Sequence, residues 1–145
     1  MRIIILSCSN LKISFSTPRP ALEVYDGPYF KTIRKLKREG RFPDNVTVLI
    51  ISAEYGLLRL EDKIKIYDRR IDRQRAEELN KPVINKLLRI IKKNPCEELI
   101  INLGSDYYPI VEGIEQKLQG YCKVKFFSGT IIQRRQHLKE YLLNA

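Results

Sequence analysis

Three side chains in this sequence have the chemistry to carry out a reaction, and they are Glu54, Asp68 and Cys8. The carboxylate of Glu54 could act as a general base, or it could hydrogen-bond to a base edge that Tyr55 stacks against. Asp68 would be a second carboxylate, and Cys8 could be a nucleophile activated by the positive charge of Lys12. The structural alternatives are that Glu54 pairs with a neighbouring arginine and that Cys8 is a small buried packing residue.

Small, polar and charged residues follow each apolar run of the chain, and together they predict one binding pocket. After the first run, small residues would let backbone N–H groups approach an anion. Gly129 leads into a helix that carries Arg134, which is typical of a simple anion site at a helix N-terminus. Asp106 is either part of the pocket or the cap of its own helix. The predicted substrate-binding residues are Ser7, Ser9, Asn10, Lys12, Ser52, Tyr55, Gly56, Tyr67, Asp106, Gly129 and Arg134.

The elements that would position these residues alternate between strand and helix. Apolar runs predict strands at residues 3–6, 46–51, 99–103 and 124–127, and helical spacing predicts helices at 29–40, 76–91, 105–118 and 130–143. Pro82 predicts a kink or a new helix start, and Ile131 is expected to face the core. We therefore predict one α/β domain over residues 1–145, a three-layer sandwich with a four-stranded, mainly parallel sheet and helices on both faces. Sites in such sheets lie beyond the carboxyl ends of the strands.

The charge balance favours a polyanionic partner. The chain has 27 Lys and Arg residues against 17 Asp and Glu, which gives a formal net charge of +10. Nucleic acid, either DNA or tRNA, is the expected partner, and the alternative is a highly charged surface of the thermophilic type. The helix predicted at residues 29–40 has a strongly basic outer face. Its predicted nucleic-acid-binding residues are Lys31, Arg34, Lys35 and Arg38.

The sequence argues against several other classes of protein. No apolar run approaches the roughly 20 residues that span a bilayer, and no signal peptide is recognisable, so we expect a cytoplasmic protein. Three cysteines without C-x-x-C spacing and a single histidine predict no metal site. An odd cysteine count argues against a disulfide framework, and Cys96 and Cys122 are expected to have no special role. The glycine spacing of ATP and NAD sites is absent, so we predict no cofactor.

Several motifs, taken in order, resemble those of an uncharacterised family of small domains from bacteria, archaea and phages. The motifs are C-S-x-x-K at Cys8–Lys12, Y-x-x-x-x-F at Tyr25–Phe30, L-S-A-x-Y-G-L at residues 51–57, and Y-D at Tyr67-Asp68. Ile51 stands where the third motif usually has leucine. More distantly, the chain resembles a domain of archaeal tRNA-guanine transglycosylase-related proteins and the peroxide-stress DNA-binding proteins. That resemblance implies an α/β layout like that of uracil-DNA glycosylases and a role with nucleic acid or nucleobases. The Gly-x-Asp-Pro-Tyr and His-Pro-Ser signatures of true uracil glycosylases are absent, so uracil excision is not implied.

These observations lead to one principal hypothesis and two alternatives. The principal hypothesis is a nucleic-acid-associated protein with a nucleobase or nucleotide pocket, acting on a base or on its glycosidic bond. The first alternative is a non-catalytic DNA- or RNA-binding module that uses the basic helix, which predicts steep salt dependence. The second is a sensor of a small nucleotide, which predicts binding with little salt dependence.

Overall fold

The protein folds as a central sheet between two layers of helices. A computed structural model describes residues 1–9, 11 and 15–145. The strands are β1 (Arg2–Ser7), β2 (Arg19–Pro20), β3 (Val46–Ser52), β4 (Gly56–Arg59), β5 (Lys63–Ile64), β6 (Glu98–Asn102) and β7 (Lys123–Phe126). The helices are α1 (Ala21–Val24), α2 (Pro28–Arg38), α3 (Arg73–Lys93), a 3-10 helix (Ser105–Val111), α4 (Ile114–Lys117) and α5 (Ile131–Asn144). None of the helices in these ranges is both long enough and apolar enough to cross a membrane.

The main sheet has the strand order β4-β3-β1-β6-β7, and β2 and β5 form a separate two-stranded sheet. In the main sheet, β3, β1, β6 and β7 are parallel, as the sequence predicted, and β7 lies at an edge. The antiparallel strand β4 is a fifth member that the sequence analysis did not predict. It forms because Gly56, with φ of +74°, lets the chain reverse after Ser52 and pair back onto β3.

Alternate residues of the central strand face opposite layers of helices. Ile3 and Ile5 pack with α3, the 3-10 helix and α4 on one face of the sheet. Ile4 and Leu6 pack with α1, α2 and α5 on the other face. All four side chains are fully buried. The continuous apolar run at residues 3–6 is therefore explained by burial on both faces, which confirms the predicted α/β sandwich.

The helices differ from the sequence-based expectations at three points. Pro82 lies inside the single helix α3, so no new helix starts there. The predicted helix at residues 105–118 is instead a 3-10 helix followed by the short α4. Ile131 was expected to face the core, which is wrong, since 57% of the residue is exposed. It lies in the first turn of α5, which contacts the core through Leu138 and Leu142 further along.

Candidate functional site

The carboxyl ends of β1, β3 and β6 meet at one edge of the sheet. The chain leaves β1 towards β3 on one side, and it later returns to place β6 on the other side of β1. The gap between β1 and β6 is therefore the point at which the strand order reverses, where parallel sheets of this kind bind ligands. Ser7 ends β1 and Asn102 ends β6, while the Gly104 N–H lies 3.5 Å from the Ser7 hydroxyl.

Cys8 lies beside a phenol at this gap. The Cys8 Sγ and the Tyr107 hydroxyl are 3.0 Å apart, within hydrogen-bond reach, although 99 residues separate them in the chain. Burial, together with the neighbouring Cys8, raises the pKa of Tyr107 well above its ordinary value. Tyr107 is therefore a neutral hydroxyl at pH 7, able to donate a proton in a hydrogen bond to the cysteine sulfur or to a bound group.

A chain of hydroxyl groups runs from the end of β3 across the same edge. The Ser52 Oγ accepts hydrogen bonds from the backbone N–H groups of Glu54 (3.2 Å) and Tyr55 (3.1 Å) and donates to the Tyr67 hydroxyl (3.1 Å). The Tyr67 and Tyr25 hydroxyls are 2.7 Å apart, so one of them donates to the other. Ser52 also hydrogen-bonds to Tyr25, so the three hydroxyls bond to one another.

Both phenols keep their protons at physiological pH. Burial raises the pKa of Tyr25 to about 12, although hydrogen bonds with Ser52 and Tyr67 act in the opposite direction. Burial is also the largest cause of the raised pKa of Tyr67. The three hydroxyls are therefore neutral hydrogen-bonding groups at this edge of the sheet.

Two buried polar groups at the end of β6, the Asn102 Nδ2 and the Tyr29 hydroxyl, make no hydrogen bond of ordinary geometry within the part of the chain that the structure describes. The two side chains are near enough for Asn102 to act against the burial that raises the pKa of Tyr29. Asn102 is fully buried and Tyr29 is 9% exposed. Arg134 adjoins both, because its Nη1 donates to the Asn102 Oδ1 at 3.1 Å and its guanidinium lies 5.6 Å from the centre of the Tyr29 ring. Since arginine can only donate, the carbonyl oxygen of the amide must face Arg134, which leaves the NH₂ group unpaired.

The position of Arg134 follows from the start of α5. Thr130 and Gln133 form a capping box, in which each side chain accepts a hydrogen bond from the other residue's backbone N–H. The Arg134 N–H donates to the Thr130 carbonyl at 2.9 Å, so Arg134 lies one turn into the helix. Gly129 has φ of +106°, and a Cβ there would collide with the Gln133 side chain. Gly129 therefore serves the cap, and the capped N–H groups of Thr130 and Gln133 are not open to the predicted anion.

The two carboxylates predicted to be catalytic lie nearer to solvent than the phenols. The Glu54 carboxylate is 3.9 Å from the Arg69 guanidinium, and both side chains are about 40% exposed, at 38% and 41%. This contact agrees with the alternative in which Glu54 pairs with an arginine. Asp68 is exposed. Tyr55 is 41% exposed and meets the Tyr67 ring edge-on at 5.6 Å, which brings it to the border of the hydroxyl chain.

Other predicted pocket residues have mainly structural contacts. The Ser9 hydroxyl donates to the Asp26 carbonyl and so connects the segment after β1 to the start of α2. Gly56 packs its backbone against Leu79 and Val83 of α3. Asp106 is exposed in the first turn of the 3-10 helix, and no side chain caps that helix. Asn10 and Lys12 lie outside the described residues.

The basic helix α2 divides its charges between two roles. Lys31, Lys35 and Arg38 are exposed, as predicted, and Lys31 lies 3.6 Å from Asp26. Arg34 differs from the prediction, because it is half-buried and its Nη1 donates to the carbonyls of Leu22 (2.9 Å) and Tyr25 (2.8 Å). Arg34 thus holds the connection between α1 and α2 in place, and the outer basic surface consists of the remaining residues.

Sequence reasoning did not assign a site role to three residues that the fold brings to this edge, which are Tyr25, Tyr29 and Asn102. Asn102 was hidden inside an apolar run, where a lone amide is a usable signal because burying it requires a partner. Nothing in the sequence around the tyrosines indicated which distant residues they would contact.

Comparison with known proteins gives a family for the chain. The model of a family described as being of unknown function, DUF6884, matches residues 3–140. Among curated proteins, no sequence matches the chain. The matched range includes every strand end described above, and it agrees with the expected resemblance to an uncharacterised family. The chain therefore belongs to the family of unknown function DUF6884.

Proposed function

We propose that this protein binds a nucleobase or nucleotide, free or as part of DNA or tRNA, at the carboxyl ends of β1, β3 and β6. The observation that carries the proposal is that the Asn102 amide nitrogen and the neighbouring Tyr29 hydroxyl have no hydrogen-bond partner in residues 1–9, 11 and 15–145. Leaving one such group without a partner costs about 1–3 kcal/mol, so a ligand that supplies the missing partner gains affinity there.

The groups at this edge match the chemistry of a nucleotide. The Asn102 NH₂ is a donor, suited to a carbonyl oxygen or a ring nitrogen of a base. Arg134 has further N–H groups beyond the one that binds Asn102, and these suit a phosphate oxygen. The resemblance to nucleic-acid-associated α/β domains supports the same class of ligand.

We further propose that the protein acts on the bound base or on its glycosidic bond, with Cys8, Glu54 and Asp68 as the candidate catalytic residues. Cys8 has the strongest geometric support, since it lies 3.0 Å from Tyr107 at the point of strand reversal. Glu54 contacts Arg69 at the exposed border of the site. Replacing Cys8 by serine and Glu54 by glutamine would separate these roles, because loss of turnover with retained binding marks the reacting group.

Binding is tested by fluorescence anisotropy with labelled tRNA and single-stranded DNA, using free bases and nucleotides as competitors. We expect one class of base or nucleotide to displace the label and to bind directly in calorimetry. Tyr29→Phe should weaken that binding about tenfold, which corresponds to one hydrogen bond of about 1.4 kcal/mol. Tyr121→Phe is the matched control, since Tyr121 is 51% exposed at the opposite end of the sheet. Equal affinity of Tyr29→Phe and wild type would refute the proposed pocket.

A second candidate function is favoured by a separate observation. Lys31, Lys35 and Arg38 form an exposed basic face on α2, in a protein of net charge +10. A non-catalytic module using this face would bind DNA or RNA with steep salt dependence, and free nucleotides would not displace it. Binding of a free nucleotide with little salt dependence would instead favour the nucleotide sensor.

A further inference from the structure

The fold brings Cys96 and Cys122 together at the end of the sheet opposite to the candidate site. Their Sγ atoms are 2.9 Å apart, although the two residues are separated by 26 positions in the chain. Cys96 lies just before β6 and Cys122 just before β7. Because these strands are parallel neighbours, the segments that enter them are adjacent, and the sequence spacing alone did not indicate this pair.

The backbone on either side of the two cysteines is held in place. The Lys123 N–H donates to the Glu97 carbonyl at 3.2 Å, which joins the residue after one cysteine to the residue after the other. Cys96 is 6% exposed and Cys122 is half-buried, so a reagent in solution reaches Cys122 first. Burial and the hydrogen bond with Cys96 raise the pKa of Cys122 to about 12.

We propose that Cys96 and Cys122 form a reversible disulfide when a small-molecule disulfide such as oxidised glutathione is present. The Cys122 thiolate attacks one sulfur of glutathione disulfide, which forms a mixed disulfide and releases one glutathione thiolate. The Cys96 thiolate then attacks the Cys122 sulfur and releases the second glutathione. The two protein thiols lose two electrons and two protons, and one glutathione disulfide is reduced to two glutathione molecules.

The Cys96–Cys122 disulfide would cross-link the start of the edge strand β7 to the start of its neighbour β6. The new covalent loop contains the 3-10 helix and α4, so the cross-link restricts the unfolded chain over that whole segment. Cys8 takes no part, because it follows β1 at the other end of the sheet. Oxidation of the pair therefore changes the stability of the protein and leaves the candidate site free.

The test uses the reduced full-length protein and a Cys8→Ser variant, each equilibrated with mixtures of reduced and oxidised glutathione at alkaline pH. We expect both proteins to lose two hydrogen atoms in intact mass spectrometry, with peptide mapping placing the bond between Cys96 and Cys122. Tm should rise on oxidation by about 10 °C, and reductant should reverse the rise. Cys122→Ser should remove both effects while Cys8 remains.

Two results would overturn the proposal. One is a pair that stays reduced, or accepts only a glutathione adduct, across the full range of oxidised to reduced glutathione. The other is a mapped bond that involves Cys8 in place of either partner. Peptide mapping of the wild-type protein decides the matter even if the serine variant fails to fold.

Discussion

The hydroxyl of Tyr29 and the amide nitrogen of Asn102 lack a hydrogen-bond partner among the described residues, and they are the main support for the proposed ligand site. Both groups are buried, and the large majority of buried side-chain polar atoms in proteins have a partner. For stability alone, phenylalanine would be preferred at position 29. Removing the Tyr29 hydroxyl would avoid the cost of burying it and would break no hydrogen bond to the described residues. Keeping these polar atoms is physically reasonable if a bound molecule supplies their hydrogen-bond partners.

Two Tyr→Phe substitutions distinguish an unpaired hydroxyl from a paired one. Tyr29→Phe should leave the free energy of unfolding unchanged or raise it by about 1 kcal/mol. Tyr25→Phe should lower it by about 1–2 kcal/mol, because the Tyr25 hydroxyl bonds to Tyr67 at 2.7 Å. Urea denaturation of both variants measures the difference. If Tyr29→Phe were as destabilising as Tyr25→Phe, the Tyr29 hydroxyl would have a partner and its role in the pocket would be lost.

At the scale of elements, α2 contributes to the core, to a loop and to the surface at once. Phe30, Ile33 and Leu36 are buried against the sheet, which accounts for the helix itself. Arg34 binds two backbone carbonyls next to α1. Only the remaining outward charges are available to a polyanion.

Charge reversal on α2 tests whether that surface binds nucleic acid. The double variant Lys35→Glu, Arg38→Glu should reduce the magnitude of the slope of log association constant against log salt concentration by about 2. Each lost phosphate contact lowers that magnitude by about 1. Lys81→Glu with Arg89→Glu on α3 is the matched control, because both residues are exposed on the other face of the sheet. Each double variant lowers the net charge of +10 equally, so equal losses of affinity would mean that overall charge, and no particular helix, attracts the nucleic acid.

At the scale of the whole molecule, the buried phenols couple folding to alkaline pH. The pKa of Tyr25 is about 12 in the fold and about 10 in the unfolded chain, so the unfolded state loses its proton first as pH rises. The stabilisation is therefore complete below about pH 10 and is lost between about pH 10 and 12. The raised pKa values of Tyr67 and Tyr107 act in the same direction.

Urea midpoints measured from pH 8 to pH 11 test this coupling. We expect Tyr25 alone to account for a loss of about 1 kcal/mol by pH 11, from the difference between the two pKa values. Tyr25→Phe should lose correspondingly less stability over the same range, which separates its effect from that of lysine titration. Parallel pH profiles for the variant and the wild type would show that Tyr25 titrates normally.

The sequence by itself determined the elements and their faces. The apolar run at residues 3–6 predicted a strand covered on both sides, and the spacing of Phe30, Ile33 and Leu36 predicted one buried stripe on α2. Lys123 and Lys125 predicted the edge position of β7. These features can be predicted from sequence because strands and helices place buried residues at a short, regular spacing along the chain.

Only the tertiary structure decided which side chains meet. Tyr25 and Tyr67 are 42 positions apart and Cys8 and Tyr107 are 99 apart, yet each pair is in contact. Those contacts depend on the strand order and on the face that each connecting helix covers, and no window of neighbouring residues contains that information. The inward turn of Arg34 depended likewise on the carbonyls that α1 presents to it. The sequence thus indicated the edge of the sheet at which the candidate site lies, and the packing of distant segments brought together the groups proposed for it.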